Sequence, residues 1–192
     1  MAAVPSTMLE LGTLAPPIDL PTADGTRWSL ADQPPSSALV VLFICNHCPY
    51  VKHIAPVLAD VTRRLQADGA TVVAVNSNDA ERYPDDGPEA MGAEVAERGY
   101  AFPYLVDADQ AVAHAYRAAC TPDCYVFDGE RRLVYRGQFD DSRPGNDVDV
   151  TGADLDAAVR AVLTGAPVPE PQHPSIGCSI KWRPGNEPPW FG

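Results

Sequence analysis

An unbroken apolar run, Leu39-Val40-Val41-Leu42-Phe43-Ile44, leads through Cys45-Asn46-His47-Cys48 to Pro49. Such a run, short and rich in β-branched residues, is expected of a strand buried on both faces. From Pro49 the apolar positions Val51, Ile54, Val57, Leu58, Val61 and Leu65 recur at helical spacing and stop at Asp68-Gly69. Proline is favoured at the first helical position, where its missing N–H costs nothing. Cys48 is therefore expected to cap the helix. A cap side chain faces unpaired N–H groups and the positive end of the helix dipole, and both favour thiolate over thiol. Helix termini can lower a cysteine pKa to somewhere in ~3.5–7.5, and the thiolate is the reactive form. Pro56 lies inside the helix, where it is expected to kink it.

Elsewhere the pattern alternates strands and helices. Ile18 to Leu30 reads as two short strands about Asp24-Gly25, and Thr71 to Val75 as a second buried strand. Asn76 to Gly87 is a polar loop, Pro88 to Arg98 a helix, Tyr104 to Val106 a strand and Asp109 to Ala118 a helix. Tyr125 to Phe127 and Leu133 to Tyr135 flank the turn signal Asp128-Gly129. Asp140 to Asp149 reads as a solvated acidic loop, and Thr151 opens a last helix ending at Gly165. Parallel β-α-β units followed by a hairpin imply an α/β fold with a mixed central sheet and helices on both faces. Residues 1–165 are expected to form this domain. The Pro-rich extension 166–192 carries Ile176, Cys178, Ile180, Trp182, Trp190 and Phe191. It is too apolar for a disordered tail, so roughly 174–184 should pack on the domain without regular structure.

The formal net charge of −12 among 192 residues disfavours nucleic acid and anionic membranes as partners, because phosphate binding needs Lys and Arg. No apolar stretch is of membrane-spanning length, and no basic-then-apolar leader is visible. A reducing, cytoplasmic setting is expected. Five cysteines is an odd count, and C-x-x-C beside a β-α unit then reads as redox-active or metal-binding rather than as a structural bridge.

Strand, C-x-x-C, proline-containing helix and then Thr121-Pro122 leading into a hairpin resemble the thioredoxin superfamily. The N-terminal hairpin and the run from Val112 to Asp128 are similar to its peroxiredoxin branch, the AhpC/TSA type. Phe43 to Lys52 (FICNHCPYVK) and Ile176 to Pro188 (IGCSIKWRPGNEP) resemble a family of small peroxiredoxin-like bacterial proteins. The spacings from Phe43 and to Pro56 align Cys48, not Cys45, with the thioredoxin nucleophile. The usual resolving position falls on Val51, which forms no disulfide, and Cys45 lies upstream of the helix.

The resemblance implies a thioredoxin-like fold and a thiol–disulfide oxidoreductase with an antioxidant role. Cys48 would attack, His47 would stabilise its thiolate, and Cys45 or Cys178 would resolve. The Thr121-Pro122 bond is expected to be cis and close to Cys48, with Thr121 offering its backbone to a substrate peptide. Substrates would be protein or small-molecule thiols and disulfides, with no bound cofactor and no resident metal required. The oligomeric state is open. The peroxiredoxin pattern P-x-x-x-T-x-x-C is not met, since Cys45 and Val41 stand three and seven residues before Cys48. A weak peroxidase forming a sulfenate at Cys48 is one alternative. A metal-binding chaperone using Cys45, Cys48 and a histidine is a second, and a non-catalytic binding module a third. Cys124 is read as core and Cys120 as near the site.

Overall fold

A computed structural model describes residues 3–191. Its centre is a five-stranded sheet in the order β6-β5-β4-β8-β9. Strands β4 (Leu39–Phe43), β5 (Thr71–Asn76) and β6 (Tyr104–Val106) run parallel, while β8 (Asp123–Phe127) and β9 (Leu133–Gly137) complete the other side as an antiparallel hairpin. This is the mixed sheet expected. Strand β4 is buried along its whole length and alternates between two cores. Val40 and Leu42 face one core, while Leu39, Val41 and Phe43 face the other, as a period of two requires.

The first core is covered by α1 (Pro49–Ala67), α2 (Pro88–Arg98) and α4 (Ala153–Thr164), the second by α3 (Ala111–Tyr116) and the N-terminal segment. Helix α1 buries Val51, Ile54, Leu58, Val61 and Leu65 in one stripe. Each such aliphatic side chain stabilises the fold by roughly 1.5–3 kcal/mol on full burial. Val57 stays half-exposed, and Pro56 sits on the solvent side of the helix. Helix α3 is shorter than its pattern suggested, because Gln110 and Arg117 at its two ends both have left-handed backbone, φ 62° and 51°. The hairpin β2 (Asp19–Pro21) and β3 (Arg27–Ser29) forms its own two-stranded sheet.

Two expectations need correction. The acidic loop is not simply solvated. Asp140 is buried, and its carboxylate accepts the backbone N–H groups of Ser142, Thr151 and Gly152 just before α4. The extension, in turn, does contain regular structure. Strand β10 (Ile176–Ser179) lies antiparallel between β1 (Ala3–Pro5) and β7 (Cys120–Thr121). Buried backbone N–H and C=O groups need partners, and the edge at Cys120–Thr121 finds them in this distant segment. No alternation in Ile-Gly-Cys-Ser announces a strand. Beyond β10, Ile180 and Trp182 enter the second core. No helix among the described residues is long and apolar enough to cross a membrane.

Candidate redox site

The chain leaves β4 at Phe43 and turns through Ile44 to His47 before α1 begins. Cys48 occupies the N-cap position with extended backbone (φ −69°, ψ 123°), and Pro49 follows it. Its sulfur turns towards β7 and lies 3.2 Å from the Thr121 carbonyl oxygen. Cys45 Sγ lies 3.3 Å from Thr121 Oγ1. The Thr121-Pro122 bond is cis. Thr121 thus touches both cysteines of C-x-x-C, one through its carbonyl and one through its hydroxyl.

The third thiol comes from the extension. Cys178 pairs with Thr121 in the β10–β7 ladder, and its thiol is within hydrogen-bonding reach of Cys48. Cys45, Cys48 and Cys178 are all buried, at 1%, 0% and 4% exposure, and all are free thiols. In this structure the chain's own strand β10 occupies the Thr121 backbone that was expected to meet a substrate peptide. Cys120 and Cys124 are also buried, and burial pushes both thiols well above their ordinary range. Cys124 packs in the first core, and Cys120 points at the Pro122 carbonyl, 3.7 Å away.

The cluster is electrostatically divided. Hydrogen bonds from the Cys178 and Cys45 thiols outweigh the cost of burial and lower the Cys48 pKa to about 2. The same pairing holds Cys45 and Cys178 protonated: their hydrogen bonds to Cys48, then burial, push both thiols far up. The nearby Asp86 carboxylate raises Cys45 further. The pairing therefore favours the thiolate at Cys48 and the thiol at its two neighbours. The helix terminus was the expected cause, but the two neighbouring thiols dominate.

His47 does not take the place expected for it as the thiolate's partner. Its Nδ1 stands 2.5 Å from Asp86 Oδ2, and its ring stacks on Tyr83 with centroids 5.3 Å apart. Asp86 is buried and also accepts from the Asn46 N–H at 2.8 Å and the Asn78 amide at 2.8 Å. Burial alone would raise this carboxyl, but the His47, Asn78 and Asn46 hydrogen bonds together hold it below its ordinary value. Asn46 donates in addition to the Asp85 carbonyl and accepts from Tyr104 OH. The C-x-x-C turn is thus clamped to the loop after β5. Asp86, Tyr83 and Tyr104 were not singled out from sequence. A signal existed: functional groups in open α/β sheets gather at the carboxyl ends of strands, and the loop 77–87 leaves that end of β5 beside β4.

A metal could be offered Cys45, His47 and Asp86, whose donor atoms lie within 4.8 Å of one another. The fit is poor, because both Asp86 oxygens are already engaged by Asn46, His47 and Asn78. The larger cavities lie elsewhere. One of about 650 Å³ lies between β2–β3 and α2. Another of about 380 Å³ is lined by Arg117, Ser179, Trp182 and Trp190.

With this geometry in view, the family model of the AhpC/TSA family matches residues 11–136. The chain belongs to the AhpC/TSA family. No curated protein matches it. Among solved structures, an uncharacterised conserved protein from Geobacillus kaustophilus superposes with a TM-score of 0.94 and 53% identity, covering 96% of this chain and 98% of the other. A hypothetical protein from Sinorhizobium meliloti 1021 gives 0.92 and 55% identity over 94% and 99%. Peroxidoxin BcpB from Mycobacterium tuberculosis shares the fold, with a TM-score of 0.60 and 17% identity over 81% and 97%. The AhpC/TSA match ends before Cys178. The two high-identity neighbours cover too much of the chain to stop at residue 165, so part of the extension is common to them. Within the AhpC/TSA family this chain departs from the pattern P-x-x-x-T-x-x-C, with Val41 and Cys45 in place of the proline and the threonine.

Proposed function

We propose that this protein is a cytoplasmic thiol–disulfide oxidoreductase with an antioxidant role, in which Cys48 is the nucleophile. The observation that carries this reading is the convergence of three buried free thiols on Thr121. The chemistry is a two-electron exchange. The Cys48 thiolate attacks one sulfur of an incoming disulfide; the S–S bond breaks, and the leaving thiolate takes a proton from solvent. Cys48 is then in a mixed disulfide. Cys45 or Cys178, once it has given up its proton, attacks the Cys48 sulfur and expels the second half of the substrate as thiol. The substrate disulfide is reduced and the protein dithiol is oxidised, and an external dithiol restores it. Thr121 fixes the distance between the two C-x-x-C sulfurs, and Pro122 fixes Thr121.

Turnover of oxidised glutathione with dithiothreitol as reductant tests the reading. Cys48→Ser should abolish it, and mass-spectrometric mapping after mild oxidation should show Cys48 bonded to Cys45 or Cys178. Full turnover by Cys48→Ser, or a mapped disulfide that omits Cys48, would remove the assignment.

A further inference from the structure

A nucleophile for disulfides must be reached along the S–S axis, yet Cys48 is wholly buried. Among the groups packed against it is Cys178 of β10, paired with Thr121. We propose that β10 is a self-inhibitory strand: it occupies the β7 edge beside Cys48 and must bow outward before an extended, disulfide-bearing polypeptide can lie there. The inference rests on the thiol–disulfide reading above.

Four structural observations support it. First, β10 meets Cys48 as a substrate strand would, with backbone paired to Thr121 and a sulfur against the nucleophile. Addition of an extended peptide to a free sheet edge is a general recognition mode, in which main-chain hydrogen bonds supply affinity. Second, its ladders are short. Only Cys178 and Ser179 pair with β7 and three residues pair with β1, against five residue pairs between β4 and β8. Third, beyond these ladders the strand is anchored at both ends. Ser175 Oγ donates to the Pro122 carbonyl and the Ser6 N–H donates to the Ser175 carbonyl, while Ile180 and Trp182 are buried beyond it. The geometry therefore favours a bowing of 176–179 between two anchors over departure of the whole extension. Fourth, the close approach depends on one glycine. A Cβ on Gly177 would run into the Thr121 carbonyl oxygen.

The gate is tied to the thiols themselves. Transfer of two electrons from Cys48 and Cys178 to an incoming small disulfide, which leaves as two thiols, makes a Cys48–Cys178 bond and latches β10 shut. The same transfer from Cys45 and Cys48 leaves β10 without a covalent latch.

Gly177→Ala tests the gate directly. In the folded variant, iodoacetamide should modify Cys48 at least tenfold faster than in wild type, and reduction of insulin by dithiothreitol through the protein should accelerate by a similar factor. Unchanged rates in a folded Gly177→Ala protein would overturn the proposal. Should that variant not fold, hydrogen exchange of the wild type decides. The amides of 176–179 should exchange faster than those of β4, and faster again with excess insulin B chain. Exchange of 176–179 only at the global unfolding rate of β4 would refute the gate. Turnover of oxidised glutathione by wild type, lost in Cys48→Ser, stands apart from these readouts. If it holds while the β10 tests fail, only the gate falls.

Discussion

His47 and Asp86, 39 residues apart in sequence, are joined by a hydrogen bond of 2.5 Å that anchors the C-x-x-C turn to the loop after β5. The carboxylate is the acceptor, so the Nδ1 nitrogen carries the proton. Asp86 also collects the Asn46 N–H and the Asn78 amide. Removing it strands several buried donors, each costing ~1–3 kcal/mol. Asp86→Ala should therefore destabilise the protein by about 2–4 kcal/mol on that scale, read from urea midpoints at neutral pH. The sign in pH follows from its lowered pKa. The contribution is fully present above the ordinary carboxylate pKa and disappears as pH falls through the folded value. An Asp86→Ala protein as stable as wild type would make the contact incidental.

The Cys48 thiolate should be visible directly. With the pKa lowered to about 2, absorbance at 240 nm in the reduced protein should persist well below pH 5 and vanish in Cys48→Ser. The folded pKa lies below the unfolded one, so ionisation adds stability that is complete above the unfolded thiol pKa and is lost as pH falls toward about 2. A titration of this absorbance centred near pH 8 would refute the thiolate.

Substitution at Cys178 separates hydrogen bonding from mere proximity. A hydrogen bond to a charged group is worth ~1.5–3 kcal/mol. Cys178→Ala should thus raise the Cys48 pKa by about 1–2 units at ~1.4 kcal/mol per unit. Cys178→Ser retains a donor and should raise it far less. Equal effects of Ala and Ser, followed at 240 nm, would show that the donor is not what lowers Cys48.

Asp123 has the opposite sign. It is fully buried beside Pro122, receives Tyr125 OH at 3.0 Å, and burial raises its pKa to about 8. Its Oδ1 has no hydrogen-bond partner among the described residues. The neutral acid is favoured in the fold, so stability is lost as pH rises from the ordinary carboxylate value toward 8. Asp123→Asn should stabilise the protein increasingly across that range, by a degree or more in Tm per pH unit on the scale of ~4–8 °C per kcal/mol for small domains, somewhat less at this size. A Tm difference that does not grow with pH would mean that Asp123 is ionised in the fold.

The corner from β4 into α1 was legible because two local signals coincide there: a run that can only be a buried strand, and a proline that can only sit at the first turn. The Cys48 cap position and the mixed sheet follow that frame, whereas the cis Thr121-Pro122 bond was expected only from the resemblance to thioredoxin folds. Long-range pairings were less legible. Asp86 looked like one acid in a polar loop, because nothing local shows that it will be buried under His47. Strand β10 carries no alternating pattern, since Gly177 is selected by the nearness of the Thr121 carbonyl rather than by a solvent-facing period. The direction of the Cys48 shift was anticipated from the helix end, but its main cause was not, because Cys178 reaches the site only through tertiary structure.

The β10–β7 pairing also has a consequence for biosynthesis. Everything needed to place Cys45 and Cys48, namely β4, α1 and β7, leaves the ribosome well before Ile176–Ser179. A nascent chain that has folded its central sheet therefore displays the nucleophile with an open edge beside it, while Cys178 is still within the exit tunnel or not yet made. The thiol that pairs with Cys48 and the strand that lies over it arrive together, after the rest of the site.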